Sequence, residues 1–339
     1  MTLLQSVTLT ISSAVFAVAV QAAGTVQIQV NNTMKPGGSE EVAVKKFAEV
    51  LEAKAPGHFV VQPFLSGQLG SENAVLELLN IGETQISLTA ANWRGQYAPE
   101  LDPIAIPFLF PSNEAIEAYM DTPSGQKLIA AGANKGGLVH LGIQHRAPRH
   151  LTANRAISSP EELNGLKLRL PGTPVWVDVW GALGAQPVVV PAPEIYLAMQ
   201  TGVVDAHENT LASPYNRKLY EVQSDLMMTS HIYSPWHWVA SKMWWDGLSD
   251  QDRATIQDAV DAAIAAGNAA ETEKDRFYLA ELEKKGMHIV QPDRDAFVAK
   301  AGPAINKALE VLAPGVVDDV NKAIDTAGKA AGLAQTNNP

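Results

Sequence analysis

The stretch from Ser249 to Lys285 contains no proline, and Gly267 is its only glycine. Ser249 and Asp252 supply a helix start signal, and Gly286 supplies a stop signal. The pattern predicts a helix of about 35 residues, roughly 50 Å long, about three times the average length. In an α/β protein, a helix this long most simply runs along two lobes and braces both. A coiled coil is the alternative, but the alanine-rich positions lack an apolar heptad.

Strand and helix patterns alternate in the first hundred residues. The predicted order is a strand at 26–30, a helix at 39–54 capped by Ser39, a strand at 59–62, a helix at 71–80 and a strand at 86–88. Alternation of this kind predicts an α/β layer built on a mostly parallel sheet.

Length, charge and cysteine content exclude several classes of protein. A chain of 339 residues is long enough for two lobes that each bury a core. The formal net charge of -11 argues against a general nucleic-acid surface. It does not exclude an anionic small ligand, because one buried arginine sets a local field that distant charges do not cancel. The sequence has no cysteine, which excludes disulfides, thiol nucleophiles and cysteine-ligated metals.

The first residues have the pattern of a targeting segment. An apolar run at 12–20 is followed by small residues, so 1–22 is predicted to be a signal peptide cleaved after Ala22. The first basic residue is Lys35, so the usual positive start is missing, and a buried N-terminal strand or helix is the alternative. At the other end, 331–339 is predicted to be a flexible tail.

The motifs that mark common enzymes are missing. The sequence has no glycine-rich phosphate loop, no dinucleotide fingerprint and no GxSxG nucleophile elbow. His207 and Glu208 lack the second histidine of a zinc helix. Three further histidines, spaced by five, align on neither a helix nor a strand face: His140, His145 and His150. We therefore expect no catalytic residue, no metal ion and no cofactor.

The segment 165–172 reads GLKLRLPG and predicts a strand. Its leucines fall on one face, and Lys167 and Arg169 on the other. Alternation alone fits a solvated strand face for both charges.

Three polar residues stand near the ends of predicted strands. Arg169 lies near the end of its predicted strand, just before a Pro-Gly pair. Asn209 follows a predicted strand at 203–206, and Arg149 precedes the segment 152–159. Ligands of open α/β sheets bind beyond the carboxyl ends of the strands. A guanidinium fork suits a carboxylate in two-point geometry, so a binding protein could use these residues without any catalytic group.

Longer stretches identify a family. In this order and spacing, three of them resemble the signature of the periplasmic solute-binding subunits of TRAP (tripartite ATP-independent periplasmic) transporters, the DctP type: SPEELNGLKLRLPG at 159–172, GALGAQPV at 181–188 and PEIYLAMQTGVVDAHEN at 193–209. Three more agree with it: FLSGQLGSE at 64–72, IPFLFPSNEA at 106–115 and YEVQSDLMMTSHIYSP at 220–235. The similarity covers nearly the whole mature chain.

The resemblance implies a fold. Relatives have a two-lobed, periplasmic binding protein-like α/β fold, in which crossing strands and a long interlobe helix join the lobes. The lobes close over a ligand like a hinged trap. On this basis the first lobe is predicted at 23–146 plus 235–274, and the second lobe at 147–234 plus 275–330.

The resemblance also implies a site. Arg169, in the K-[LIV]-R motif, pairs with the ligand carboxylate, Asn209 hydrogen-bonds the ligand, and Arg149 contributes to its orientation. Around Arg149, the sequence RAPR departs from the more usual glycine-containing form. Four further residues are pocket candidates, each weighed against a packing role: Glu72, Asn92, Trp93 and Trp236.

One departure bears on the ligand. Relatives often carry an aromatic residue at the position of Ala192, where it covers the ligand. A small side chain favours a larger acid, such as a sugar acid or an aromatic or cyclic carboxylate, unless another tryptophan fills the space.

The function that follows from the resemblance is transport. We expect a periplasmic, monomeric solute-binding protein that captures an organic acid and delivers it to the TRAP membrane subunits, without nucleic acid or cofactor. The first alternative is a lyase or isomerase that acts on a carboxylated substrate with Glu208 or His207 as the base. A structural or adhesion role is the second alternative.

Overall fold

The structure is a computed structural model that describes residues 24–330. The predicted signal peptide at 1–22 and the predicted tail at 331–339 lie outside the described residues. The strands are β1 (Val26–Asn31), β2 (Phe59–Phe64), β3 (Ile86–Thr89), β4 (Leu138–Gln144), β5 (Arg149–Ala153), β6 (Lys167–Leu170), β7 (Gln186–Val189), β8 (Ala206–Asn209), β9 (Asp225–Ile232), β10 (Trp236–Ser241) and β11 (His288–Val290).

Twelve α-helices accompany the strands within the described range. They are α1 (Ser39–Lys54), α2 (Glu72–Asn80), α3 (Asn92–Tyr97), α4 (Asn113–Met120), α5 (Pro123–Gly136), α6 (Pro174–Ala182), α7 (Ile195–Gln200), α8 (Ala212–Asn216), α9 (Lys242–Asp246), α10 (Asp250–Lys284), α11 (Arg294–Glu310) and α12 (Val316–Ala330). Among residues 24–330, no helix is both long and apolar enough to cross a membrane.

Two mixed sheets form the centres of two lobes, which confirms the predicted two-lobed α/β fold. The first sheet has the strand order β2-β1-β3-β10-β4, and the second has β11-β9-β5-β8-β6-β7. In each sheet one strand runs against the others, β10 in the first and β5 in the second. The prediction of a mostly parallel sheet is confirmed for β1, β2 and β3, and these two strands are the exceptions. The chain enters them directly from the other sheet, without the helical crossover that parallel neighbours require.

Two short crossings and one long helix join the lobes. Residues 145–148 lead from β4 into β5, and residues 233–235 lead from β9 back into β10. The predicted long helix is confirmed as α10, whose cap Ser249 accepts a hydrogen bond from the backbone N–H of Asp252. α10 packs against α1 and β4 of the first lobe and against α8 of the second.

Gly267 lets α10 approach β4 closely. A Cβ at this position would lie 2.6 Å from Cδ of Gln144. The Gln144 side chain is buried and held in place, since its Oε1 accepts a hydrogen bond from Nε1 of Trp238 at 3.1 Å. Glycine is therefore required here by packing.

We expect Gly267→Ala to lower the free energy of unfolding by about 1–3 kcal/mol, because the added methyl group overpacks a filled contact. Gly328→Ala is the matched control, since a Cβ there meets nothing within 4 Å. Alanine at this helical position is expected to add about 0.5–1 kcal/mol through helix propensity. Urea denaturation of both variants measures the difference, and equal stabilities would contradict the packing argument.

The proline-rich connection after α3 is bent. Its prolines start two short 3-10 turns, at Pro99–Leu101 and Pro103–Ala105. Beyond them, Ile106 and Phe108 join the core of the second lobe, and the backbone N–H of Phe108 donates to the carbonyl oxygen of His231.

The last helix corrects the predicted lobe division. The prediction assigned 275–330 to the second lobe, but α12 packs against α4, and Val316 and Val320 lie in a first-lobe core with Tyr119. The chain returns to the first lobe after α11, where the backbone N–H of Ala313 donates to the carbonyl oxygen of Glu100 at 2.8 Å. The other predicted boundaries remain a prediction.

Two local predictions were also wrong. Gly38 rather than Ser39 is the N-cap of α1, and the Ser39 hydroxyl instead donates to the Glu271 carboxylate of α10. The strand predicted at 203–206 begins only at Ala206 and ends at Asn209. Residue 203 still belongs to the turn that closes α7, because its backbone N–H donates to the carbonyl oxygen of Ala198.

Candidate functional site

Arg169 lies on β6 between two neighbouring strands. It pairs with Val188 of β7 and His207 of β8. Leu168 and Leu170 are fully buried and Lys167 is exposed, but Arg169 itself is only 4% exposed. A solvated strand face is therefore the correct interpretation for Lys167 and the wrong one for Arg169.

The guanidinium of Arg169 is held at one corner and free at the other two. Nε donates to the carbonyl oxygen of Val190 at 2.8 Å, while Nη1 and Nη2 have no hydrogen-bond partner within residues 24–330. Burial lowers the pKa of Arg169, the charge of Glu208 opposes this shift, and the charges of Arg149 and Arg217 add to it, so that the pKa is about 10. The group is still cationic at neutral pH, and neither Nη1 nor Nη2 donates a hydrogen bond to a described protein atom.

Arg149 forms a two-point ion pair with Glu208. Nε donates to Oε2 at 2.6 Å, and Nη2 donates to Oε1 at 2.8 Å and to the Glu208 carbonyl oxygen at 2.9 Å. The guanidinium also lies over the ring of Trp176, 5.0 Å from its centroid. Both charged side chains are buried, and the pairing fixes the orientation of Arg149.

The surroundings of Glu208 remove its basicity. Burial by itself raises the pKa of Glu208, but the charge of Arg149 and the hydrogen bond from His231 outweigh it and hold the pKa at about 2. His207, the other base considered for an enzyme, is fully buried, and burial together with the charge of Arg169 lowers its pKa well below the usual value. Neither side chain has the properties of a general base that accepts a proton near neutral pH.

Asn209 is the last residue of β8. Its Oδ1 accepts the backbone N–H of Thr210 at 2.9 Å, and its Nδ2 has no partner in the described part of the chain. β8 is parallel to β6 and antiparallel to β5, with Asn209 opposite His150. The carboxyl ends of β6 and β8 and the amino end of β5 therefore meet at one edge, which brings together Arg169, Asn209 and Arg149.

Glu72 lies at the corresponding edge of the first sheet. It opens α2, and its Oε2 accepts hydrogen bonds from Oγ1 of Thr89 at 3.2 Å and from the backbone N–H of Ala90 at 3.4 Å. Burial raises the pKa of Glu72, and the Ala90 hydrogen bond and the charge of Arg146 oppose this shift. The carboxylate of Glu72 is thus close enough to Arg146, in the crossing between β4 and β5, for the two charges to interact.

The other three first-lobe candidates, Asn92, Trp93 and Trp236, lie in different surroundings. Asn92 is exposed, and its Nδ2 donates to Oδ1 of Asn73 at 2.7 Å. Trp93 is 1% exposed and packs in the first-lobe core, with its ring centroid 5.2 Å from that of His237. This is a packing position, so the structure does not bring Trp93 to the site.

Trp236 is also buried, but it borders the crossings. Its Nε1 donates to Oε1 of Glu40 at 2.8 Å. The guanidinium of Arg146 lies over its ring, 4.0 Å from the centroid, and Nη1 donates to the carbonyl oxygen of Ser234 at 3.2 Å. Arg146 thus ties one crossing to the other. Sequence reasoning missed it, although the RAPR segment held a second arginine as a signal.

A groove runs between the lobes past the end of β6. One cavity of about 650 Å³ is lined from the first lobe by Asn92 and Gln96 and from the second by residues 171–174, which follow Arg169 directly. A second cavity of about 660 Å³ continues it along α6 and α11. The two share Gly95, Asp102, Ala105, Thr173 and Pro174. Arg169, Asn209 and Arg149 line neither cavity, although residues 171–174, which follow Arg169, line the first.

Residues 30–310 match the sequence model of a protein family, the bacterial extracellular solute-binding proteins, family 7. The chain belongs to this family.

Several relatives are similar to this chain over most of its length. A solute-binding protein of Roseobacter denitrificans is 31% identical over 267 residues, which cover 78% of this chain and 81% of the relative. The sugar acid binding protein of Advenella mimigardefordensis, solved with galactonate, has a TM-score of 0.83 at 26% identity, covering 90% of this chain and 99% of that one. A TRAP periplasmic solute-binding protein of Shewanella oneidensis, solved with succinate, has a TM-score of 0.83 at 28% identity, covering 89% of this chain and all 100% of that one. The resemblance to TRAP solute-binding proteins is confirmed.

Proposed function

We propose that this family 7 protein captures an organic acid between its lobes and delivers it to the membrane subunits of a TRAP transporter. One observation carries the proposal. Arg169 is a buried cation whose two terminal nitrogens have no protein partner within the described residues, at the strand edge beside the interlobe groove. A ligand carboxylate supplies the missing partner in two-point geometry.

Two second-lobe neighbours complete the proposed anchor. Asn209 offers the free donor Nδ2, and Arg149 offers Nη1 while Glu208 holds its other nitrogens. The first lobe contributes Asn92, which lines the groove, and Glu72, at the strand edge of the first sheet. Trp236 supports Arg146 rather than contacting the ligand, and Trp93 acts in the core.

A sugar acid suits the groove best. Beside the exposed Asn92, the 650 Å³ cavity is lined by the polar side chains of Asn73, Glu77, Gln96 and Thr173. Such groups pair with ligand hydroxyls. Ala192 is exposed and follows Val190, whose carbonyl oxygen holds Arg169. Its small side chain leaves room there for a bulky acid.

The place of action and the partners follow from the family. Relatives are described as periplasmic proteins of TRAP systems, so we place this protein in the periplasm, as a monomer that docks transiently on membrane subunits. It releases the acid unchanged, which distinguishes it from a lyase or isomerase. The lobes, divided at the two crossings and with α12 in the first, close as a hinged pair.

A thermal-shift screen against organic acids tests the proposal. A ligand present at about 100 times its dissociation constant is expected to add about 2.7 kcal/mol to the free energy of unfolding. Sugar acids, dicarboxylates and aromatic acids form the panel, and their uncharged amides are the matched controls. Stabilisation by an amide as large as that by its acid would contradict carboxylate recognition. Chemical analysis of the released ligand checks that no product forms.

A further inference from the structure

A separate cavity of about 260 Å³ lies where the first crossing meets α10. It is lined by Asn113 and Glu114 of α4 in the first lobe, by residues 145–148 of the crossing, and by α10 between 268 and 276. Here α10 passes from one lobe to the other, since Ala263 lies in a first-lobe core and Tyr278 in a second-lobe core. The cavity therefore spans the junction, and a change in the angle between the lobes changes its shape.

Two side chains of α10 hold the crossing in place. Oδ1 of Asn268 accepts the backbone N–H of His145 at 2.7 Å, and Oε1 of Glu271 accepts that of Ala147 at 2.7 Å. Oε2 of Glu271 accepts a hydrogen bond from the hydroxyl of Ser39 on α1. Glu271 thus ties the crossing both to α10 and to the first lobe, at the point about which the lobes turn.

Asp275 follows Glu271 by one turn of α10 and lines the same cavity. Its carboxyl group is half-buried and takes part in no hydrogen bond or ion pair within residues 24–330. Burial, together with the charge of Glu271, raises the pKa of Asp275 to about 6. The group therefore gains or loses its charge close to neutral pH, inside a cavity whose shape depends on the lobes.

Other charged and titratable groups surround Asp275. They are Glu271 and Arg276 of α10, Glu114 of α4, His145 and Arg146 of the first crossing, and Tyr233 of the second. Burial lowers the pKa of His145, but the hydrogen bond and the charge of Glu117 outweigh it, so that the pKa is raised above its usual value. His145 is thus a second titrating group at the hinge, and the experiment has to separate it from Asp275.

We propose that Asp275 makes the hinge between the lobes sensitive to pH, because the cavity around it changes shape when the lobes open or close. This inference rests on the lobe closure of the proposed function. An ionised carboxylate without a protein partner depends on water for its stability. Hinge motion that narrows the cavity removes water and favours the neutral acid, whereas motion that widens it favours the carboxylate. By linkage, ligand affinity then depends on pH, and ligand binding moves a proton.

Calorimetry with galactonate tests the inference. The carboxylate of galactonate stays ionised between about pH 5 and pH 8, so a proton exchanged on binding belongs to the protein. Titrations at about pH 6 in two buffers of different ionisation enthalpy count these protons. A pKa shift of about half a unit to one unit at Asp275 exchanges about 0.3–0.4 protons and changes the affinity about 3- to 10-fold between pH 5 and pH 8. Asp275→Asn is expected to remove both contributions.

Three further variants separate Asp275 from its neighbours. Glu271→Gln keeps an acceptor and a donor for its two hydrogen bonds but removes the charge that raises the pKa of Asp275. The midpoint of the pH dependence is therefore expected to move to lower pH. His145→Gln removes the second titrating group and is expected to leave the contribution of Asp275 in place. Asp261→Asn is the matched control, because Asp261 is exposed on the same helix, and it is expected to behave like the wild type.

The outcomes separate this inference from the proposed function. Proton exchange that is smaller in Asp275→Asn by the stated amount supports it. If galactonate binds and both proteins exchange the same number of protons, or none, the inference is wrong although the proposed function stands. If galactonate does not bind, X-ray scattering of the ligand-free protein decides. A radius of gyration that differs between pH 5 and pH 8 in the wild type but not in Asp275→Asn supports the inference, and equal values in the wild type overturn it.

Discussion

Arg169→Ala is expected to weaken carboxylate binding by about 30-fold or more. Truncating one partner of a desolvated charge pair costs about 2–5 kcal/mol. Arg169 is 4% exposed, and its fork has no other anion in contact within the described residues. The ligand carboxylate therefore loses its principal counterion, and Arg149 does not replace it, because its charge is already paired with Glu208.

The measurement is calorimetry with galactonate and succinate, the acids bound by structural neighbours. Lys167→Ala is the matched control, because Lys167 lies on the same strand but is exposed. We expect this control to bind like the wild type. Arg169→Lys keeps the charge but loses the fork, and is expected to recover part of the affinity. Wild-type affinity in Arg169→Ala would refute the anchor assignment.

Glu208→Gln is expected to lower the free energy of unfolding by about 3–5 kcal/mol. Removing one charge of a buried pair leaves the other uncompensated, and here the charge left behind is Arg149. The carboxylate contacts Arg149 at two points and is fully buried, and the glutamine amide leaves one acceptor oxygen for the donors of Arg149 and His231.

The pH dependence of this loss has a defined sign. The pKa of Glu208 is about 2 in the folded protein, below the value of about 4.3 in an unfolded chain. The contribution of Glu208 to the free energy of unfolding is therefore complete above pH ~4.3 and is lost as the pH falls toward 2. The difference between Glu208→Gln and wild type should shrink over that window.

Urea denaturation at several pH values measures this difference. Glu194→Gln is the control, because Glu194 is exposed in the same lobe, and it is expected to leave stability nearly unchanged. A double variant, Arg149→Met with Glu208→Leu, removes the pair entirely and is expected to recover much of the stability. If the double variant were as unstable as the sum of its parts, the loss would come from packing and not from an uncompensated charge.

Much of the fold follows from local patterns. The caps and the absence of proline predicted α10 almost to the residue, because both act within a few positions of the chain. Patterns failed where a distant contact decided the outcome. Ser39 has the chemistry of an N-cap, but Glu271, 232 residues away, takes its hydroxyl. α12 follows the second lobe in sequence, yet its apolar face packs on α4 of the first.

The site was predicted in part. Arg169, Asn209 and Arg149 meet at one sheet edge, because parallel neighbours align their carboxyl ends. Trp93 was chosen by position, but a helical turn sends its ring into the core. No spacing rule announced Arg146 or the pairing of Arg94 with Asp102, because both depend on how irregular segments turn between regular elements.

The sequence by itself determined the family, the two-lobed α/β plan, the long helix and the arginine of the K-[LIV]-R motif, since each is written in neighbouring residues. The tertiary structure alone decided that Arg169 is buried with no partner for its two terminal nitrogens among residues 24–330, that Glu208 pairs with Arg149, and that Asp102 stands in the groove wall. Burial and charge pairing are properties of side chains that meet from distant parts of the chain, and they set pKa values and binding strength. The local pattern of the chain carries no record of either.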